Sequence, residues 1–62
     1  MNYKKLTKLI EKDGWVQVRT NGSHKHYRHP IKKGTVTIAG HKKTDEVPIG
    51  TEISILKQAG LK

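Results

Sequence analysis

Sixty-two residues carrying 13 Lys and Arg against five Asp and Glu have a formal charge of +8 at pH 7 and a pI near 10.1. That balance is the electrostatic footprint of a polyanion binder. A chain of this length makes one domain, residues 1–62, and buries only about 60% of its unfolded surface on folding, so the core is thin. The chain has no cysteine, and no apolar run approaches the ~20 residues of a membrane span. Disulfide and thiolate–zinc scaffolds are thereby excluded, and the expectation is a soluble cytoplasmic protein with no membrane partner.

In chain order, Asn2 is placed to cap a first helix whose Tyr3, Leu6, Leu9 and Ile10 form one apolar stripe, and Gly14 ends it as a left-handed residue. Trp15 to Thr20 and Ser23 to His29 then read as two strands joined by Asn21-Gly22. Asn-Gly favours a two-residue type I′ loop, because both central residues of that turn need positive φ. Such a loop sets Arg19 opposite His24, Gln17 opposite His26, Val16 opposite Tyr27 and Trp15 opposite Arg28. Alternation places Val16, Val18 and Tyr27 on a core face, and Gln17, Arg19, His24, His26 and Arg28 on an open one. Trp15 lies outside by parity, but an indole beside a helix end is expected in the edge of the core.

Pro30 marks the exit from the second strand, and Lys32-Lys33-Gly34 is a basic turn. Thr35 to Ala39 alternates as a third strand. With Val36 and Ile38 on the core side, Thr37, Ala39 and His41 share the face of His24. Residues 40–47 carry no periodicity and read as a loop. Pro48 opens a second helix, in which Ile49, Ile53 and Leu56 supply an inward stripe with Ile55 and Ala59 at its margins, and Gly60 and Leu61 close it. The predicted fold is α+β, in the order α-β-β-β-α, with both helices on the one apolar face of a three-stranded antiparallel sheet.

The open face concentrates the chemistry. His24-x-His26 directs two imidazoles to one side, but a metal site needs a third ligand that the pattern does not aim there, and Arg19 and Arg28 repel a divalent cation. No metal and no cofactor are expected. Ser23 and His24 point to opposite faces, so Ser23 is a turn residue rather than a nucleophile; the N–H of Gly22 at that turn is available to a phosphate. A histidine among cations suits RNA cleavage, because RNA carries its own 2′-OH nucleophile. Imidazole can then move a proton near neutral pH while Arg and Lys stabilise the phosphorane. An exposed histidine can equally be a mere phosphate or base contact. On this reading Arg19, Gly22, Ser23, His26, Arg28, Lys32, Lys33 and His41 contact RNA.

Several spaced motifs resemble the HicA toxin family of bacterial toxin–antitoxin systems: Asp13-Gly14-Trp15, Gly22-Ser23-His24, Tyr27, His29-Pro30, Val36-Thr37-Ile38, and Gly50-Thr51 through Lys57-Gln58-Ala59-Gly60-Leu61. The resemblance spans nearly the whole chain. It implies a double-stranded-RNA-binding-like fold, metal-independent cleavage of mRNA that arrests translation and growth, and neutralisation by a HicB-type antitoxin covering the site. In that family the histidine of Gly-Ser-His is catalytic, and the role carries over to His24. Ala39-Gly40 stands where the family often has proline and another residue. Lys25 and His26 occupy variable positions, so the resemblance assigns them no role. The alternative is a non-catalytic double-stranded RNA-binding module, which would place a lysine run at the start of the second helix; that helix carries one lysine, Lys57. A pure protein-interaction domain would leave His24 and Arg19 without a purpose.

Overall fold

The first helix, α1, runs from Tyr3 to Asp13 in a computed structural model that describes residues 1–62. Its N-terminus is capped as the sequence predicts, with Asn2 Oδ1 accepting the Lys5 N–H at 2.9 Å. At its other end Gly14, at φ 113°, donates to the Glu11 carbonyl and Trp15 donates to that of Ile10. This pair of bonds is a Schellman ending, and it drives the Trp15 indole back against the helix, where it is 1% exposed. The second helix, α2 (Ile49–Gln58), ends alike, Gly60 donating to Lys57 and Leu61 to Leu56.

Between the helices lie β1 (Val16–Asn21), β2 (His24–Arg28) and β3 (Val36–Ala39), antiparallel and in that spatial order. The β2–β3 pairing sets Tyr27 opposite Val36 and His26 opposite Thr37. Tyr27, Val36 and Ile38 are buried while His24 is exposed, which is the predicted parity.

The first hairpin departs from expectation. Its turn is Gly22-Ser23, so Asn21 pairs with His24 and Arg19 with His26, rather than Arg19 with His24. A type I′ turn would force non-glycine Asn21 to positive φ, and no non-glycine residue here has one. Sliding the turn by one residue puts Gly22, at φ 62°, alone in that region, as the first central position of a type II′ turn requires. A bulge between Gln17 and Arg19 then resets the pairing to Gln17 with Tyr27 and Val16 with Arg28. Gln17 consequently moves to the helix-covered face. Val16 and Val18, expected in the core, are 60% and 54% exposed. β1 is an edge strand without a buried side chain, and Trp15, just before it, supplies its anchor.

Eleven buried residues, none polar or charged, form one cluster. Both helices contribute to it and both cover the Tyr27 face. From α1 come Tyr3, Leu6 and Ile10, whereas Leu9 is exposed. From α2 come Ile55 and Leu56, followed by Ala59, whereas Ile53 is half-buried and Ile49 is 69% exposed. The α2 stripe is therefore rotated from the predicted one, because Val47 takes the inward place expected of Ile49. Val47 is held there by backbone bonds between residues 43–47 and the chain start, among them Val47 N–H to Met1 and Tyr3 N–H to Asp45. The loop read as irregular is thus part of the core's rim. Each well-buried large side chain is worth roughly 1.5–3 kcal/mol, so so small a set leaves little margin.

A polar knot supplements it. His29 Nε2 donates to the Asp13 carbonyl at 2.7 Å, while its Nδ1 accepts the N–H groups of Ile31 and Lys32, both at 3.0 Å. Lys32 Nζ donates to Asp13 Oδ2 and to the Ala59 carbonyl, which also accepts Trp15 Nε1 at 3.2 Å. The Lys32 ammonium, through its hydrogen bond and charge, holds the Asp13 carboxyl below its ordinary range. A depressed carboxyl stabilises the fold above its unfolded value, and that contribution fades as pH falls through the folded one. Asp13→Asn should therefore lower the melting temperature at neutral pH, with the gap to the parent closing as pH falls below the ordinary carboxylate range. His29→Ala should cost roughly 1–3 kcal/mol in denaturant unfolding, from partners left unsatisfied. Parent-like stability of both variants would refute the knot.

Candidate active site

The tip of the first hairpin carries Gly22-Ser23-His24, the stretch expected to hold the chemistry. Gly22 has open space around it, but Ser23 is packed: a Cβ built on Gly40 would lie 2.4 Å from the Ser23 carbonyl oxygen. The chain leaving β3 thus presses against the turn through the one residue that lacks a side chain. That contact fixes the start of β2, and the first residue of β2 is His24.

His24 is exposed, paired with Asn21 on one side and Ala39 on the other. It borders a cleft whose floor includes Thr37 and Ala39 and whose far wall is the flank of α2, with Gly50, Thr51, Ser54 and Gln58. The wall is uncharged, and Gln58 Nε2 donates to Ser54 Oγ at 3.4 Å. Gly50, Thr51 and Gln58 entered the sequence reading only as part of a family motif and none of these α2 residues was assigned to the site, although Thr51, Ser54 and Gln58 recur at i, i+3 and i+7, which is a polar stripe on one helix face. What the linear pattern lacked was the position of α2 at the β3 edge, where that stripe turns toward His24.

His26 lies on the same face two residues on, between Arg19 and Thr37. Its Nδ1 is 3.1 Å from Thr37 Oγ1, and its Nε2 is buried without a hydrogen-bond partner. Neither nitrogen is offered to solvent as freely as the imidazole of His24. Arg19 and Arg28 are exposed on this face. With the register shifted, Arg19 is a diagonal neighbour of His24, within reach of a long side chain.

Three expected contacts lie elsewhere. Lys32 is committed to Asp13 and Ala59 at the far end of β2, leaving exposed Lys33 as the free cation of that turn. His41 stacks on Tyr3, with ring centroids 4.7 Å apart and planes 16° from parallel, and it does not line the His24 cleft. No three His, Asp or Glu side chains converge as metal ligands would.

Because Gly40 has no space for a Cβ against Ser23, Gly40→Ala should displace the hairpin tip. Amide resonances of Ser23 and His24 should shift in a two-dimensional nitrogen–proton spectrum, while those of Asp13, His29 and Lys32 stay in place. Unmoved Ser23 and His24 resonances would sink this account of how His24 is held.

A sequence profile described as the HicA toxin of bacterial toxin–antitoxin systems matches residues 3–61, from the start of α1 through the α2 ending. No individually curated protein matches the chain. With the α-β-β-β-α fold in place and the profile spanning nearly its whole length, the chain belongs to the HicA toxin family and is the toxin of a toxin–antitoxin system.

Proposed function

We propose that this toxin is an endoribonuclease that cleaves mRNA, with His24 as its proton-transfer residue. The observation that carries the reading is the placement of His24: exposed, on a cationic face, at the mouth of the cleft between the sheet and α2. The substrate's 2′-oxygen attacks the adjacent phosphorus, forming the 2′-O–P bond as the P–O5′ bond breaks. A proton leaves the 2′-hydroxyl and one is delivered to the 5′-oxygen. The His24 imidazole serves one of these two transfers, since an imidazole ring can both accept and donate a proton. Arg19 and Arg28 stabilise the extra negative charge of the phosphorane, and the Gly22 and Ser23 amides at the hairpin tip are placed to approach a phosphate. With Nδ1 against Thr37 and Nε2 buried, His26 contacts RNA only beside the cleft that His24 borders. No step requires a metal ion.

His24→Ala should reduce cleavage by about 10²–10⁴ while melting like the parent, because an exposed strand side chain adds little packing. A substrate with one 2′-deoxy sugar at the cleavage site should resist, normal fragments should end in a 2′,3′-cyclic phosphate, and a chelator should have no effect. Full activity of His24→Ala would overturn the assignment. Efficient cutting at the deoxy position would remove the 2′-oxygen as nucleophile.

The partner that silences such a face is a HicB-type antitoxin that covers His24 with an acidic surface opposing Arg19, Arg28 and Lys33. Attraction of this kind acts mainly on the association rate and is screened by salt. Arg28→Glu with Lys33→Glu should slow antitoxin association at low salt and flatten its salt dependence; unchanged rates would place the antitoxin on another surface. Lys32 is unsuitable for this test, since its substitution opens the knot with Asp13.

A further inference from the structure

On the other side of the sheet from His24 lies a second groove, between α1 and the ends of β2 and β3. Tyr27 and Ile38 are in its floor. Lys4 and Lys8 from α1, Lys25 from β2 and Lys43 from the following loop surround it, with Glu11 the one carboxylate among the lining residues. None of the four lysines makes an ion pair. By helical periodicity Lys4 and Lys8 lie outside the apolar stripe of α1, where a lysine is ordinarily just solvated. The fold instead gathers them, with two lysines from distant segments, around one concavity.

Like charges held together this way repel one another and oppose folding. An anion seated in the groove would relieve that repulsion. Lys4 and Lys8 are one helical turn apart, roughly 5–6 Å between Cβ atoms, a spacing on the scale of neighbouring phosphates. At the rim, the exposed His41 ring lies flat on Tyr3. A flat ring beside unpaired lysines is the combination that takes an unstacked base together with its phosphates, and it has no counterpart in the needs of an acidic peptide. Ala39, at the end of β3, lines both this groove and the His24 cleft. The two concavities therefore meet over the β3 exit, beside the Gly40–Ser23 contact.

We propose that a single-stranded RNA tract continuing from the His24 cleft passes over Ala39 and Gly40 into this groove, where Lys4, Lys8, Lys25 and Lys43 hold its phosphates and the His41–Tyr3 pair stacks a base. The proposal rests on the ribonuclease reading for the strand it extends. The groove gives the enzyme a grip on sequence beyond the scissile bond, so affinity rises with RNA length on one side of the cleavage point.

The test compares two triple variants with the same loss of charge. Lys4→Ala/Lys8→Ala/Lys43→Ala removes three of the groove's four lysines, and Lys5→Ala/Lys12→Ala/Lys57→Ala removes three exposed lysines that line neither concavity. Binding of fluorescent RNA dodecamers and trinucleotides is measured in the His24→Ala background, so that no cleavage intervenes. The groove variant should bind the dodecamer about tenfold or more weakly, and its log–log salt slope should fall by about 2, three lost phosphate contacts at ~0.7 each. Its gain from trinucleotide to dodecamer should shrink to below about twofold. The control triple should keep most of that gain and of the slope. Equal weakening by the two triples would reduce the effect to net charge and overturn the groove. Unchanged RNA binding with lost affinity for the antitoxin would also overturn it, assigning the groove to a protein. Cleavage by the parent is assayed separately: if it proves independent of His24, the ribonuclease reading fails, whereas the binding comparison still decides whether the groove holds RNA.

Discussion

The carbonyl of Ala59 accepts two donors, the Trp15 indole and the Lys32 ammonium, and the arrangement of the whole domain depends on that convergence. Carbonyls at a helix C-terminus lack intrahelical partners and carry the negative end of the helix dipole, so a cation and an indole N–H are the groups suited to them. Trp15 comes from the end of α1 and Lys32 from the β2–β3 connection. One atom therefore ties three segments that are remote in sequence. Asp13 and His29 complete the tie, and a Cβ at Gly14 would lie 2.7 Å from His29 Nε2, so the imidazole reaches the Asp13 carbonyl only because residue 14 is glycine.

Three of the motifs that carry the family resemblance meet at this knot: Asp13-Gly14-Trp15, His29-Pro30 and the Ala59-Gly60-Leu61 end of the last one. They are spaced across the chain because the knot joins its helix ends, and their chemistry is structural. Gly-Ser-His lies apart from it. It sits at the opposite end of β2, where the contact between Gly40 and Ser23 sets the hairpin tip. The sheet thus has the knot at one end and the exposed His24 at the other, with Tyr27 and Val36 as the buried span between them.

Charge is distributed on the same principle. The lysine that serves stability, Lys32, is paired and half-buried. The lysines around the α1 groove and the arginines of the open face are unpaired, and they weaken a domain whose buried set is eleven residues. Partners of opposite charge would relieve that repulsion and stabilise the fold by binding to it. A small basic toxin is in this sense completed by what it binds.

Element order, helix caps and the parity of β2 and β3 were legible in the sequence, because each depends on local rules. Asn2 and Gly14 bound α1 by hydrogen bonds within a few residues, and the alternation around Tyr27, Val36 and Ile38 has period 2 whatever surrounds it. The position of His24 on the open face follows from the same parity. The hairpin register was not legible, because Gly22 satisfies two turns differing by one residue, and the observed one goes with a bulge between Gln17 and Arg19 that no local pattern announces. The facing of α2 was likewise decided by Val47, held by backbone bonds to the chain start that no pattern of side chains announces. Hence Arg19 lies diagonal to His24, Thr51, Ser54 and Gln58 wall its cleft, and Lys32 is withdrawn from the surface into the knot. Local backbone preference writes the elements and their faces into the sequence, whereas which faces meet depends on long-range packing and hydrogen bonds that exist only once the chain has closed on itself.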